Sequence, residues 1–280
     1  MKLGYIADNL GYEVIGNEDF NVEGISYHDT ALKNELAITF SLNDINNTNA
    51  IAILTERHNG IDGKYVIRCP YGLIGMAMTK IANLFICDGK YQNYNVPPCY
   101  HLNSSGYFQG FDVKIGLNSC ISPFATIGDN VKIGSNCFIG ANVSIGSDVC
   151  IGDNVTIQSG ARIGTNSFYY YEDENHITQT FPGIGSIILD NNVYIGYNSV
   201  VQRGSFSNTY IGQGSIVGNL VDIAHDVRIG SNCRIVSQTA IAGSVKLMIM
   251  LKFMVRLESL IISKLVQMFL LWLKHWLLRI

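Results

Sequence analysis

Six histidines carry the side chains best suited to proton transfer near neutral pH: His28, His58, His101, His176, His225 and His275. Only His225 sits inside a regular strand-and-corner rhythm, in Ile223-Ala224-His225-Asp226-Val227-Arg228-Ile229-Gly230. A side chain at such a corner points outward. An outward imidazole is suited to take a proton from an attacking amine, although a lone corner histidine is equally a solvated surface residue. The seven cysteines (Cys69, Cys87, Cys99, Cys120, Cys137, Cys150, Cys233) form no CxxC pair. They read as reduced thiols of a cytoplasmic protein rather than a zinc site or a disulfide framework, so no metal site is expected.

The rhythm that holds His225 is a six-residue repeat. Ile115, Ile121, Ile127, Ile133, Ile139, Ile145, Ile151, Ile157 and Ile163 recur at intervals of six. Two residues before them stand small or branched partners such as Val113, Ala125, Val131, Cys137 and Val143, and Gly-x-Asn or Gly-x-Asp turns follow. The register resumes at Leu189, Ile195 and Val201, then at Ile211, Val217, Ile223, Ile229, Ile235 and Ile241. A helix needs apolar spacings of three and four, which are missing. Six residues per flat face and three faces per coil predict a parallel β-helix of triangular section. Two interruptions, Phe168 to Ser186 and Gln202 to Tyr210, are too long for corners and read as functional loops.

Residues 1–104 lack the repeat and predict a small α/β domain. Helices are expected at Ile6–Leu10 and Tyr71–Phe85, and strands at Glu13–Ile15, Val22–Ser26, Ala50–Leu54 and Tyr65–Arg68. Pro97-Pro98 marks the exit into the β-helix. Charged residues are only 15% of the 280 and the formal net charge is −3, which gives no electrostatic reason to expect nucleic acid. An apolar fraction of 48% excludes a disordered chain.

Two stretches carry a resemblance. The repeat is similar to the hexapeptide-repeat acyltransferases, whose coils wind left-handed. Val22-Glu23-Gly24-Ile25-Ser26, Leu36 to Asn43 and Arg68 to Met76 resemble the uridine-binding domain of UDP-3-O-acylglucosamine N-acyltransferases of lipid A synthesis. The resemblance implies transfer of a (3-hydroxy)acyl chain from acyl carrier protein to the 2-amino group of a UDP-linked 3-O-acylglucosamine. It implies a homotrimer with clefts between subunits and no cofactor beyond the acyl-carrier-protein co-substrate. By match, His225 is the general base and the Gly243 N–H, in Ala242-Gly243-Ser244, the oxyanion donor. Phe40 and Asn43 match uracil-binding positions, while Asn46 stands where a second aromatic belongs. Asn219 and Gln238 match polar substrate-binding positions. Gln202 and Gly218 replace residues that are commonly Asp in the family, and the role of Asp226 is left open between orienting a ring and turning the corner. An acetyl-CoA-dependent sugar acetyltransferase and an inactive structural protein remain the competing readings.

The repeat is read as ending at Val245, with residues 246–280 a hydrophobic tail of a different kind. Lys252, Arg256, Glu258, Lys264, Lys274 and Arg279 leave no uncharged run near the ~20 residues of a membrane span. An amphipathic interfacial helix with Trp272 and Trp276 is one reading. A single-base frameshift is another. Restoring one A near the Lys246 codon, in a permitted coding, returns aliphatic residues at positions 247, 253, 265, 271 and 277, on the register of Ile241. On that reading the last coils and the helices that would dock acyl carrier protein are missing. Re-reading the DNA across that codon checks it, and an absent A run sinks it.

Overall fold

The structure is a computed structural model that describes residues 1–56, 63–91, 100–173 and 175–247, together with a strand at 252–253. Pro97-Pro98, His58, His275 and the tail beyond Phe253 lie outside the described residues. The chain divides into two compact units. One comprises Met1–Pro97, Asn166–Gly185 and Ser205–Ser207; the other comprises Pro98–Thr165, Ser186–Gly204 and the chain from Asn208 onward.

Among the described residues, the first unit has a five-stranded sheet with three helices. Its elements run α1 (Leu3–Leu10), β1 (Val14–Ile15), β2 (Gly24–Tyr27), β3 (Glu35–Ile38), α2 (Leu42–Asn47), β4 (Ala52–Thr55), β5 (Tyr65–Arg68) and α3 (Ile74–Cys87). The sheet order is β1-β5-β4-β3-β2, with β2 to β5 parallel and β1 antiparallel to β5. Leu36, Ile38, Ala52, Leu54 and Ile67 fill the sheet face that Ile6, Leu10, Ile81 and Phe85 of α1 and α3 cover. Strand β4 is buried at every position, as expected for an interior parallel strand.

The two interruptions of the repeat fold with this unit. Phe181, Ile184 and Phe206 are buried in its core, with Phe181 and Phe206 rings 4.7 Å apart and Tyr27 set edge-on to Phe206 at 5.5 Å. A hairpin pairs Tyr170–Glu172 with Thr178–Thr180.

The second unit is the parallel β-helix. Strands 18 residues apart pair in register, as in Thr126↔Ser144 and Ile127↔Ile145, building three faces. The first face holds Thr126–Ile127, Ser144–Ile145, Arg162–Thr165, Val200–Gln202, Asp222–Ile223 and Ala240–Ile241. The second holds Lys132–Ile133, Cys150–Ile151, Ile187–Leu189, Thr209–Ile211, Arg228–Ile229 and Lys246–Leu247. The third holds Cys120–Ile121, Phe138–Ile139, Thr156–Ile157, Tyr194–Ile195, Ile216–Val217 and Arg234–Ile235. Repeat isoleucines such as Ile127, Ile145, Ile163 and Ile223 are fully buried in one continuous core. Each such side chain contributes about 1.5–3 kcal/mol over leaving it in water. Corner residues Asn130, Asn136, Asn154 and Asn232 adopt left-handed backbone with φ of 56–59°, which asparagine tolerates best after glycine.

The ladder does not stop at Val245. Lys246–Leu247 pairs with Arg228–Ile229, and Lys252–Phe253 pairs with Arg234–Ile235. Leu247 is buried at the next inward position after Ile241. Strand pairing therefore continues past the expected end of the repeat at Val245.

Candidate functional site

His225 lies at the corner between Asp222–Ile223 of the first face and Arg228–Ile229 of the second. Its Nδ1 is 2.9 Å from the Asp226 carboxylate, whose side chain is only 4% exposed against 13% for the histidine. Asp226 takes the left-handed corner conformation, φ 59°, and its N–H donates to the buried Thr209 hydroxyl at 3.0 Å. A carboxylate on Nδ1 fixes the ring and, by accepting the Nδ1 proton, leaves the Nε2 lone pair as the basic site.

Eighteen residues on, Gly243 occupies the same corner in the next coil. The Ser244 N–H donates to the His225 carbonyl at 2.8 Å. A Cβ built on Gly243 would stand 2.6 Å from both Cε1 and Nε2 of His225. The imidazole therefore stands against the bare Cα, and a side chain at 243 would displace it. The structure brings His225, Asp226 and Gly243 into one place.

Asn219 and Gln238 sit elsewhere, at the corner that precedes the first face. The Gln238 N–H donates to the Asn219 carbonyl at 2.9 Å, and Asn219 Oδ1 accepts from the Tyr197 N–H at 2.9 Å. Both side chains are exposed. The resemblance gives these residues as polar substrate-binding positions. In this chain they form a separate pair, one strand length away along the coil, because a corner recurs every six residues and the triangle turns between them.

In the first unit, Phe40 follows the carboxyl end of β3 and is 45% exposed. Its ring centroid is 6.4 Å from that of Tyr27, at the end of β2. The turn into α2 is a capping box. The Phe40 and Ser41 N–H groups both donate to Asp44 at 2.9 Å, and the Asp44 N–H donates to Ser41 Oγ at 3.2 Å. Asn43 is exposed in the first turn of α2, its Oδ1 accepting from Asn47 at 3.0 Å, and Asn46 is exposed on the same helix. His28 Nε2 lies 3.6 Å from Asp44. Exposed groups beyond the carboxyl ends of parallel strands are where open α/β sheets bind ligands.

Two participants were hard to find in the text. Asp226 is adjacent to His225, so its contact was legible as a possibility only. Thr209 was invisible, because the sequence reading put it inside the Gln202–Tyr210 interruption, whereas it opens the strand Thr209–Ile211 one coil before Asp226.

A family model for the bacterial transferase hexapeptide (six repeats) matches residues 130–165 and 208–243. Those two stretches of the chain carry the hexapeptide repeat. The chain's mainly β, left-handed parallel β-helix is the architecture this repeat builds. A UDP-3-O-acylglucosamine N-acyltransferase from Granulibacter bethesdensis is 46% identical over 85 residues, 30% of this chain and 25% of that protein. The enzyme of the same name from Methylacidiphilum infernorum is 44% identical over 88 residues, 31% of this chain and 25% of that protein. The match thus spans about a quarter of the length of these relatives. Among solved structures, the UDP-N-acetylglucosamine acyltransferase of Francisella novicida is similar at 27% identity and TM-score 0.46, covering 53% of this chain and 52% of that one. That of Bacteroides fragilis is 29% identical at TM-score 0.43, covering 52% and 55%. Among the described residues no helix is long and apolar enough to cross a membrane.

Proposed function

We propose that this protein is an N-acyltransferase that moves a 3-hydroxyacyl chain from acyl carrier protein to the 2-amino group of a UDP-linked 3-O-acylglucosamine, in lipid A synthesis. The observation that carries the reading is the His225–Asp226–Gly243 corner, supported by the similarity to UDP-3-O-acylglucosamine N-acyltransferases. Amide formation from a thioester needs a base for the amine proton and a donor for the carbonyl oxygen as it gains charge. His225 Nε2 takes the proton as nitrogen attacks, with Asp226 holding the ring and stabilising the imidazolium. The Gly243 N–H donates to the oxyanion, and collapse of the tetrahedral intermediate expels the thiolate of the carrier. No cofactor takes part; the acyl carrier protein is a co-substrate.

Phe40 and Asn43 are assigned to the uridine end of the acceptor, the ring by stacking and the amide by hydrogen bonding. Asn219 and Gln238 are assigned polar contacts to the substrate. The protein works as a homotrimer in the cytoplasm, where its thiols stay reduced.

The test is a mass-spectrometric assay of the full chain with acyl carrier protein and acyl-CoA donors and a UDP-3-O-acylglucosamine acceptor. The expected product is the N-acylated sugar nucleotide from the acyl carrier protein donor. His225→Ala should cost roughly 10²–10⁴-fold in turnover at saturating substrates and leave sugar-nucleotide binding unchanged. Phe40→Ala should weaken that binding by about 3–10-fold through lost stacking and leave saturated turnover alone. Near-normal turnover of His225→Ala would remove the proposed chemistry, and acetyl-CoA as the only accepted donor would change the substrate class.

A further inference from the structure

The corner of His225 and Gly243 has neighbours that the acyl-transfer chemistry does not use. On the second face the outward row ends with Tyr210, Arg228 and Lys246, each paired in register with the next. Its last two members follow the corner directly. Arg228 is the third residue after His225, and Lys246 is the third after Gly243. Both stand on the outward side of their strands, since Ile229 and Leu247 beside them are the buried ones. Successive coils thus set one cation at the same offset from the base and one from the oxyanion donor. Tyr210, Ile188 and Cys150 separate this pair from Lys132, the preceding charge on the row.

Like charges on neighbouring strands, about 4.8 Å apart, repel unless an anion lies between them. From Val227 to Leu247 the chain holds Arg228, Arg234 and Lys246 and no Asp or Glu. The carboxylates of the flanking elements are engaged elsewhere. Asp226 faces His225 Nδ1, Asp222 accepts from Gln202 Nε2 at 3.2 Å, and Asp190 accepts from the Tyr210 hydroxyl at 2.9 Å. Among the described residues no ion pair includes Arg228. Arg228 is half-buried and Lys246 exposed, so the pair faces the same solvent as the corner.

We propose that Arg228 and Lys246 bind a phosphate group of a substrate beside the catalytic corner. The chemistry of the pair selects the ligand. A guanidinium fork meets two phosphate oxygens at once, and an ammonium one strand away meets a third. An anion held there neutralises both cations. It also anchors the molecule that carries it, three residues from the groups that take the proton and stabilise the oxyanion, which is how binding distant from the reacting atoms positions them. The inference rests on the acyl-transfer reading for its two sources of phosphate. The acceptor carries a nucleotide diphosphate, and the donor carries its acyl group on a phosphorylated pantetheine arm.

The experiment is calorimetric titration of the full chain with UDP, uridine, 4′-phosphopantetheine and pantetheine. The unmodified chain should bind the phosphorylated member of one pair about 10-fold more tightly than its counterpart without phosphate. Preference for UDP names the acceptor as the source, and preference for phosphopantetheine names the donor. Arg228→Gln and Lys246→Gln should each cut that preference to about 3-fold or less and leave uridine and pantetheine binding unchanged. Lys132→Gln, on the same row about 19 Å away, should retain it. No phosphate preference in the unmodified chain, full preference in Arg228→Gln, or an equal loss in Lys132→Gln would each overturn the proposal. The readout is binding. A chain that shows the preference and forms no N-acylated product therefore removes the acyl-transfer reading and leaves this site standing.

Discussion

At the residue scale, Gly243 is the position where the smallest change has the most specific consequence. Its backbone is not in the left-handed region, so alanine fits the chain there. The added methyl carbon would nonetheless meet the His225 ring at 2.6 Å and push the base off its place. Gly243→Ala is expected to lower turnover by roughly 10²–10³-fold, the scale of losing a positioned base or oxyanion donor. Its melting temperature should stay within a few degrees of the parent. A large loss of stability instead would mark the ring contact as structural.

Cys69 makes a second residue-level expectation. Burial pushes its thiol up to about 11, the Tyr12 contact opposing and the Glu56 charge adding a smaller rise. The folded thiol therefore stays protonated well above the unfolded value. Its contribution to stability is complete below the unfolded thiol's pKa and is lost as pH climbs toward 11. Iodoacetamide at pH 8.5 should label the exposed Cys87 and Cys120 and spare Cys69 until the protein unfolds, as peptide mapping by mass spectrometry will report.

At the element scale, Arg203 shows how the β-helix survives its second interruption. The side chain is 1% exposed, and its guanidinium donates to the carbonyls of Ser147 at 3.1 Å and Gly164 at 3.4 Å. Its own N–H donates to the Thr165 carbonyl at 2.9 Å. Coils interrupted by loops leave backbone carbonyls without their ladder partners, and a buried forked cation supplies donors at that point. Arg203→Met keeps the bulk and removes the donors. It should destabilise the protein by about 2–4 kcal/mol in denaturant titration, from carbonyls left unsatisfied in the interior. An unchanged midpoint would show that those carbonyls find water instead.

At the scale of the whole molecule, the sequence determined most of the β-helix and little of how its edges are used. The six-residue period dictates parallel coils, because each inward aliphatic stacks on its counterpart 18 residues away, and a one-dimensional repeat leaves no other pairing for it. The strands and helices of the first unit were legible at Tyr65–Arg68, in α1 and in α3, where apolar periodicity is strong. Helix α2 was not, since its Asn-rich text has no such period and is fixed by the Ser41–Asp44 capping box. His225 and Gly243 were legible as a motif. That the imidazole lies on the Gly243 Cα with Asp226 at Nδ1 was decided only by the tertiary structure, because stacking one coil on the next brings together residues 18 apart. Stacking likewise separated Asn219 and Gln238 onto another edge. It also drew Phe181 and Phe206 out of the repeat into the first unit's core. A linear text records which side chains point outward; which of them share an edge depends on how many residues each interruption removes from the coil.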